Sequence, residues 1–199
     1  MISDITERRR AEELVLQTND ELNRQARQLN DLNDALWRSF NSKNEPLTGG
    51  NGPRQLDDPG RLATLARTRL MDLLPMEAFD RFTRLGAVSL KVPVCLISLV
   101  DARRQCFKSA QDLPEPWASR RETPLTHSFC HHVVTSGLPL VVNDATQHPV
   151  VCENLAIRDH GVAAYLGVPL TTPDGFTLGS FCAIDSQPRQ WTDADRTTL

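Results

Sequence analysis

The stretch AAYLGVPLTTPDGFTLGSFCAID, residues 163–185, sets the fold class. Two runs rich in Tyr, Val, Phe, Thr and Ile flank Pro173-Asp174-Gly175, and a turn of this chemistry between β-forming runs predicts two consecutive strands. Working back, LPLVVND (138–144) reads as another strand, and VCLISLVD (94–101) and RQCFKS (104–109) read as two more about a tight turn at Asp101–Arg103. Before these, Arg61–Leu74 and Met76–Leu90 carry apolar residues at helical spacing (Leu62, Leu65, Ala66, Leu70, Leu73; Phe79, Phe82, Leu85, Val88), separated by Pro75. The segment HSFCHHVVTS (127–136) predicts a short helix with Thr126 as cap and Gly137 as stop. DLPEPWASRRETP (112–124) reads as a proline-rich loop and ATQHPVVCENLAIRDHG (145–161) as a long irregular crossing. WTDADRTTL (191–199) opens with a Thr192-x-x-Asp195 cap and stops mid-helix, as though the chain were cut there. This order implies an α+β domain: an antiparallel sheet with helices on one side and a short helix plus the crossing on the other.

The N-terminal part has another character. Residues 3–40 hold no proline or glycine and are dense in helix formers, with a capping box from Asp4 to Glu7. Val15, Leu22, Leu29 and Leu36 repeat every seven residues beside a weaker column of Ala11, Thr18, Gln25 and Leu32. A stripe this narrow cannot bury itself in a monomer, so a parallel homodimer through a coiled-coil helix over 1–40 is the expectation. The polar positions Thr18 and Gln25 would make that seam easy to shift. NSKNEPLTGGNGPRQLDDPG (41–60) then lacks the pattern of regular structure, with a flexible linker expected over 41–56 and the folded domain over 57–199.

Composition narrows the partners. With 199 residues and a formal charge of −3, the chain suits one main domain plus an appendage, and no basic field invites nucleic acid. The longest strongly apolar stretch, Val92–Val100, contains Pro93 and is far below the roughly 20 residues of a membrane helix. Acidic and arginine residues directly behind Met1 leave no apolar core for a signal peptide, so a cytoplasmic protein is expected. Five cysteines, with no C-x-x-C pair, read as reduced and mostly buried thiols.

The strand AYLGVPL, the hairpin TTPDGFTLGSFCAID, the closing RQWTDADRTTL and the middle SFCHHVVTSGLPLVVNDATQHPVVCENLAIRDHGV together resemble the GAF domain, a sensory module of bacterial signalling proteins. DITERRRAEEL resembles the exit of a PAS domain, where an Asp-Ile-Thr triplet leads into a signalling helix. The resemblance implies a relay: a GAF domain binding a small ligand or partner, coupled through a dimeric helix to a downstream output domain. Such outputs are histidine kinases, diguanylate cyclases or phosphatases, and no motif of any of them occurs in these residues. The GAF cavity would lie between the sheet and the layer of short helix and crossing. That layer offers His127, Cys130, Asp144, His148, Cys152, Arg158 and Tyr165 as ligand-binding candidates. Arg158 would pair an anion, Asp144 accept from a donor and Tyr165 stack. Asp144 as a simple cap and Arg158-Asp159 as a surface pair are the plain alternatives.

The same residues admit other chemistries. On the predicted helix His127, Cys130 and His131 sit at i, i+3 and i+4 and share a face, and a soft metal there would need a fourth ligand from His148 or Cys152. Three ligands without a spaced partner pair fall short of a zinc signature, so no metal is expected and the cofactor stays unspecified. The free methionine-(R)-sulfoxide reductases share the GAF fold and use cysteines in this helix and in the crossing, which makes a thiol enzyme based on Cys130 and Cys152 the alternative. The motifs of bilin-binding and cyclic-nucleotide-binding GAF domains are absent.

Overall fold

The computed structural model describes residues 56–72 and 76–199. The expected coiled-coil helix over 1–40 and all of the linker except residue 56 lie outside the described residues.

The chain builds one six-stranded, fully antiparallel sheet. Its strands are β1 (Val94–Val100), β2 (Arg104–Gln111), β3 (Glu122–Pro124), β4 (Leu140–Val142), β5 (Ala164–Thr171) and β6 (Thr177–Asp185), in the spatial order β3-β2-β1-β6-β5-β4. From β1 the chain steps outward to one edge, crosses over, and returns inward from the other edge until β6 pairs with β1. The predicted turn after β1 is held by Asp101, whose Oδ1 accepts from the amides of Arg103 at 2.7 Å and Arg104 at 2.8 Å. The β5–β6 turn has Gly175 at φ +84°, a left-handed conformation that suits glycine.

Both central strands are covered on both faces, which is why β1 is a continuous apolar run instead of an alternating one. On one face, helix α1 (Pro59–Thr68) sets Leu65 against Leu99 and Leu178, and helix α2 (Glu77–Leu90) sets Ala87 and Leu90 against Cys95, Ile97, Phe181 and Ala183. The small side of α2 is what approaches the sheet: a Cβ on Gly86 would sit 2.9 Å from Cys95 Sγ and 3.1 Å from Phe181. The larger residues of its apolar spacing, Phe82, Leu85 and Val88, face outward and are exposed. Helix α1 starts two residues before the expected Arg61, with Asp58 accepting from the Arg61 amide and Pro59 in the first turn, and it ends at Thr68, short of Leu74.

The other face carries the one-turn helix α3 (Trp117–Arg120), a 3-10 turn (Leu125–His127), helix α4 (Cys130–Ser136) and helix α5 (Leu155–His160). Two expected loops therefore hold regular structure. The proline-rich segment contains α3 and the edge strand β3, and the crossing contains α5, capped by Asn154 and stopped by Gly161 at φ +67°. Helix α4 stops at Gly137 as predicted but starts later than expected. Thr126 Oγ1 bonds His127 Nδ1, Phe129 stands at the N-cap, and Ser128 before it accepts from the His131 amide at 3.0 Å. The closing helix α6 (Asp193–Thr198) has the full Thr192–Asp195 capping box. No helix among the described residues is long and apolar enough to cross a membrane.

Candidate functional site

Between the sheet and the layer of α3, α4 and α5 lies a cavity of about 270 Å³. Its floor comes from alternate residues of the sheet, Leu96, Phe107, Tyr165 and Ile184, whose neighbours in sequence face the helices on the opposite side. Trp117, Phe129, Cys130, Ala156 and Val162 close it from above.

Of the seven residues proposed from sequence, the structure brings three to this cavity: His127, Cys130 and Tyr165. The other four do not line it. Asp144 Oδ1 accepts from the amide of Thr146 at 3.0 Å and from its hydroxyl at 2.7 Å, the local turn that was its plain alternative. His148 Nδ1 accepts from the Val150 amide, Cys152 is exposed, and Arg158 points to solvent and pairs with Asp159 at 2.7 Å. Arg158 is turned away because α5 presents its apolar side, Ala156, to the core, while Asp144 and His148 are held by their local turns.

Cys130 sits in a buried polar knot. Its Sγ accepts from the Tyr165 hydroxyl at 3.3 Å and lies 3.8 Å from Cys182 Sγ, and the Tyr165 hydroxyl is also 3.2 Å from Ser180 Oγ. Contact with Cys130 and burial raise the Cys182 thiol, and burial raises Tyr165, so both stay protonated at neutral pH. Beside this knot Gln105 donates to Ser98 at 3.0 Å and accepts from Ser128. These bonds satisfy the buried side chains of Ser98 in β1, Gln105 in β2 and Ser128 just before α4.

Sequence reading missed Trp117, His160 and Thr123. The Trp117 indole N–H donates to His160 Nδ1 at 2.8 Å, and the two rings meet edge to face with centroids 4.3 Å apart. The His127 ring lies 5.2 Å from His160 and its Nε2 is 3.1 Å from Asp159 Oδ2. Arg158 and His127 together hold the Asp159 carboxyl down to about 2. A signal for His160 was present: Asn154 and Gly161 bracket a six-residue helix that ends on it.

His127, Cys130 and His131 are not carried by one helix, since the 3-10 turn holds His127 and α4 begins at Cys130. No cluster of three or more His, Cys, Asp or Glu suited to a metal occurs among the described residues. Cys130 and Cys152 also occupy different settings, one buried at the cavity and the other exposed away from it.

The histidines of α4 make stability depend on pH. Burial pushes His132 down to about 4, with His131 and His148 adding to the effect, and burial also lowers His131. Between pH 6.5 and 4 the unfolded chain binds a proton that folded His132 refuses, so stability is complete above about pH 7 and lost as pH falls through that window. Allowing for partial exposure, the loss from pH 7.5 to pH 5 should be about 1–2 kcal/mol in urea unfolding and shrink in His132→Phe. Equal stability of wild type and variant at both pH values would refute this.

The comparisons agree with this architecture. Residues 75–199 match the family model described as GAF domain, and the chain belongs to that family. A cyclic di-GMP phosphodiesterase of Pseudomonas aeruginosa is 30% identical over 138 residues, which are 69% of this chain and 23% of that protein. The chain therefore spans about a quarter of that relative's length. Among solved structures, the GAF domain of an Acinetobacter phosphoenolpyruvate-protein phosphotransferase superposes with a TM-score of 0.51 at 19% identity, covering 71% of this chain and 87% of that one. The free methionine-R-sulfoxide reductase of Neisseria meningitidis in complex with its substrate gives 0.50 at 18% identity, covering 73% and 79%.

Proposed function

We propose that this chain is the sensory segment of a longer signalling protein, in which occupancy of the GAF cavity is relayed through a dimeric N-terminal helix to an output domain. The observation that carries this reading is the cavity, roofed by short helices that a ligand can move against a rigid sheet. The relative from P. aeruginosa supports an output that turns over cyclic di-GMP, because the shared segment is a minor part of a cyclic di-GMP phosphodiesterase. The thiol-reductase alternative gains no support from the separate settings of Cys130 and Cys152.

The test fills the cavity from two sides. Ala156 and Val162 are buried and line it, so Ala156→Leu and Val162→Phe occupy ligand space without adding charge. This chain replaces the matching segment of the P. aeruginosa phosphodiesterase, and cyclic di-GMP hydrolysis is measured. Each filler should change the rate about fivefold or more, the lower range of ordinary allosteric coupling. A rate unchanged by both fillers sinks the reading.

A further inference from the structure

We propose that the cavity takes an uncharged, flat aromatic molecule of one or two rings that carries a hydrogen-bond acceptor, and that it rejects nucleotides and other anions. This rests on the reading of the cavity as a ligand site and adds the class of ligand.

Charge is the first argument. Among the described residues no lysine or arginine lines the cavity, and Asp112 is its one fully charged lining residue. A phosphate or carboxylate entering here would lose its water without meeting a cation, which costs several kcal/mol. His160 does not supply the charge, and His127 Nε2 is already engaged by the Asp159 carboxylate at 3.1 Å. An indole N–H is a donor only, so the bond from Trp117 requires an unprotonated Nδ1 on His160 and places that ring's proton on Nε2, leaving a neutral imidazole. Burial lowers His160 in the same sense. A cavity built this way excludes the cyclic dinucleotide that the P. aeruginosa relative is named for, so signal input and that chemistry are separate molecules.

Shape and polarity supply the rest. Trp117, Phe107, Phe129 and Tyr165 provide aromatic surfaces, and about 270 Å³ is at the small end of ligand cavities. Two polar atoms of lining residues, His160 Nε2 and Thr123 Oγ1, are buried with no hydrogen-bond partner among the described residues. Buried polar groups are nearly always paired, and an unmet one costs free energy that a matching ligand atom recovers. His160 Nε2–H is a donor and the Thr123 hydroxyl can donate or accept, which together call for a carbonyl-type acceptor on the aromatic ring.

Indole-3-carboxamide, indole-3-carboxylate and indole test each part, because they share a ring system and differ in charge and in the acceptor. In calorimetric titration of the 199-residue chain, the amide should bind at least about tenfold more tightly than the carboxylate, with cyclic GMP and cyclic di-GMP giving no saturable heat. Thr123→Val removes an unpartnered hydroxyl and leaves folding intact, and His160→Phe keeps a ring in place. Each should bring the amide down towards the affinity of indole while indole itself binds unchanged. A preference for the carboxylate or a nucleotide, an amide affinity indifferent to both substitutions, or no binding of the amide overturns the proposal. None of these touches the sensory reading, which falls only if the two cavity fillers leave the output rate unchanged.

Discussion

Gly179→Ala should leave no folded domain. Gly179 lies in β6 opposite Leu99 of β1, and a Cβ built on it would stand 1.9 Å from the Ser98 carbonyl oxygen, 2.9 Å from its carbon and 3.0 Å from Leu99 Cα. All three are backbone atoms of a central strand, so no side chain can swing away to make room. Relief requires β1 and β6 to part, and that pair is the seam joining the β1–β3 half of the sheet to the β4–β6 half. We expect a loss of about 4 kcal/mol or more, most of the stability of an ordinary domain, seen as insoluble expression or a missing urea transition. Gly175→Ala is the control. Its φ of +84° is strained for alanine but its Cβ would meet nothing within 4 Å, so about 1 kcal/mol is expected. Similar losses in the two variants would show that the close approach at Gly179 is not what holds the seam.

Arg61→Met comes next in size. Arg61 is 1% exposed although it belongs to the first turn of α1. Its guanidinium donates to the Val100 carbonyl at 2.6 Å and to the Leu56 carbonyl, tying the start of α1 to the end of β1. Burial lowers its pKa while Asp58, Asp101 and Asp57 oppose that, and the group remains a cation at neutral pH. Methionine keeps the apolar stem but leaves two carbonyls without their donor. The expected cost is about 2–4 kcal/mol, read as a lower urea midpoint with an unchanged slope. Arg61→Lys should recover less than half, since one ammonium cannot span both carbonyls in the fork geometry of arginine. A midpoint within error of wild type for Arg61→Met would refute the account.

These two residues illustrate what a linear reading can see. Asp58 and Pro59 read as the end of a linker although they cap and open α1, and Arg61 looks like any solvated residue of a first turn, because its partners are 5 and 39 positions away in sequence. Gly179 lies in a run with strand chemistry, where a lone glycine signals a close approach without naming what approaches. The spacing of Phe82, Leu85 and Val88 marks α2 as an amphipathic helix, but it packs through Thr83, Gly86 and Ala87 because small residues let the helix axis come near the sheet.

The candidate site divides in the same way. Tyr165 and Cys130 were named from their places in a strand and a short helix, but the inward turn of each side chain was set only by the sheet register and by α4. Asp144 ends the strand before the crossing and His148, Cys152 and Arg158 lie within it, and a crossing read as irregular has no periodicity to say which side chains turn inward. Once Asn154 and Gly161 make part of it α5, Ala156 faces the cavity and Arg158 and Asp159 face water.

By itself, then, the sequence determined the antiparallel α+β plan, the β5–β6 turn, the stop of α4 and the cap of α6, all set by neighbours within a few residues through backbone conformation and capping. The tertiary structure alone decided the chemistry of the cavity: the pairing of Trp117 with His160, the burial of Thr123, and the absence of lysine and arginine from the lining among the described residues. Those properties arise where segments far apart in sequence, 43 residues for Trp117 and His160, exclude water from one volume, and no local pattern encodes which of their side chains share it.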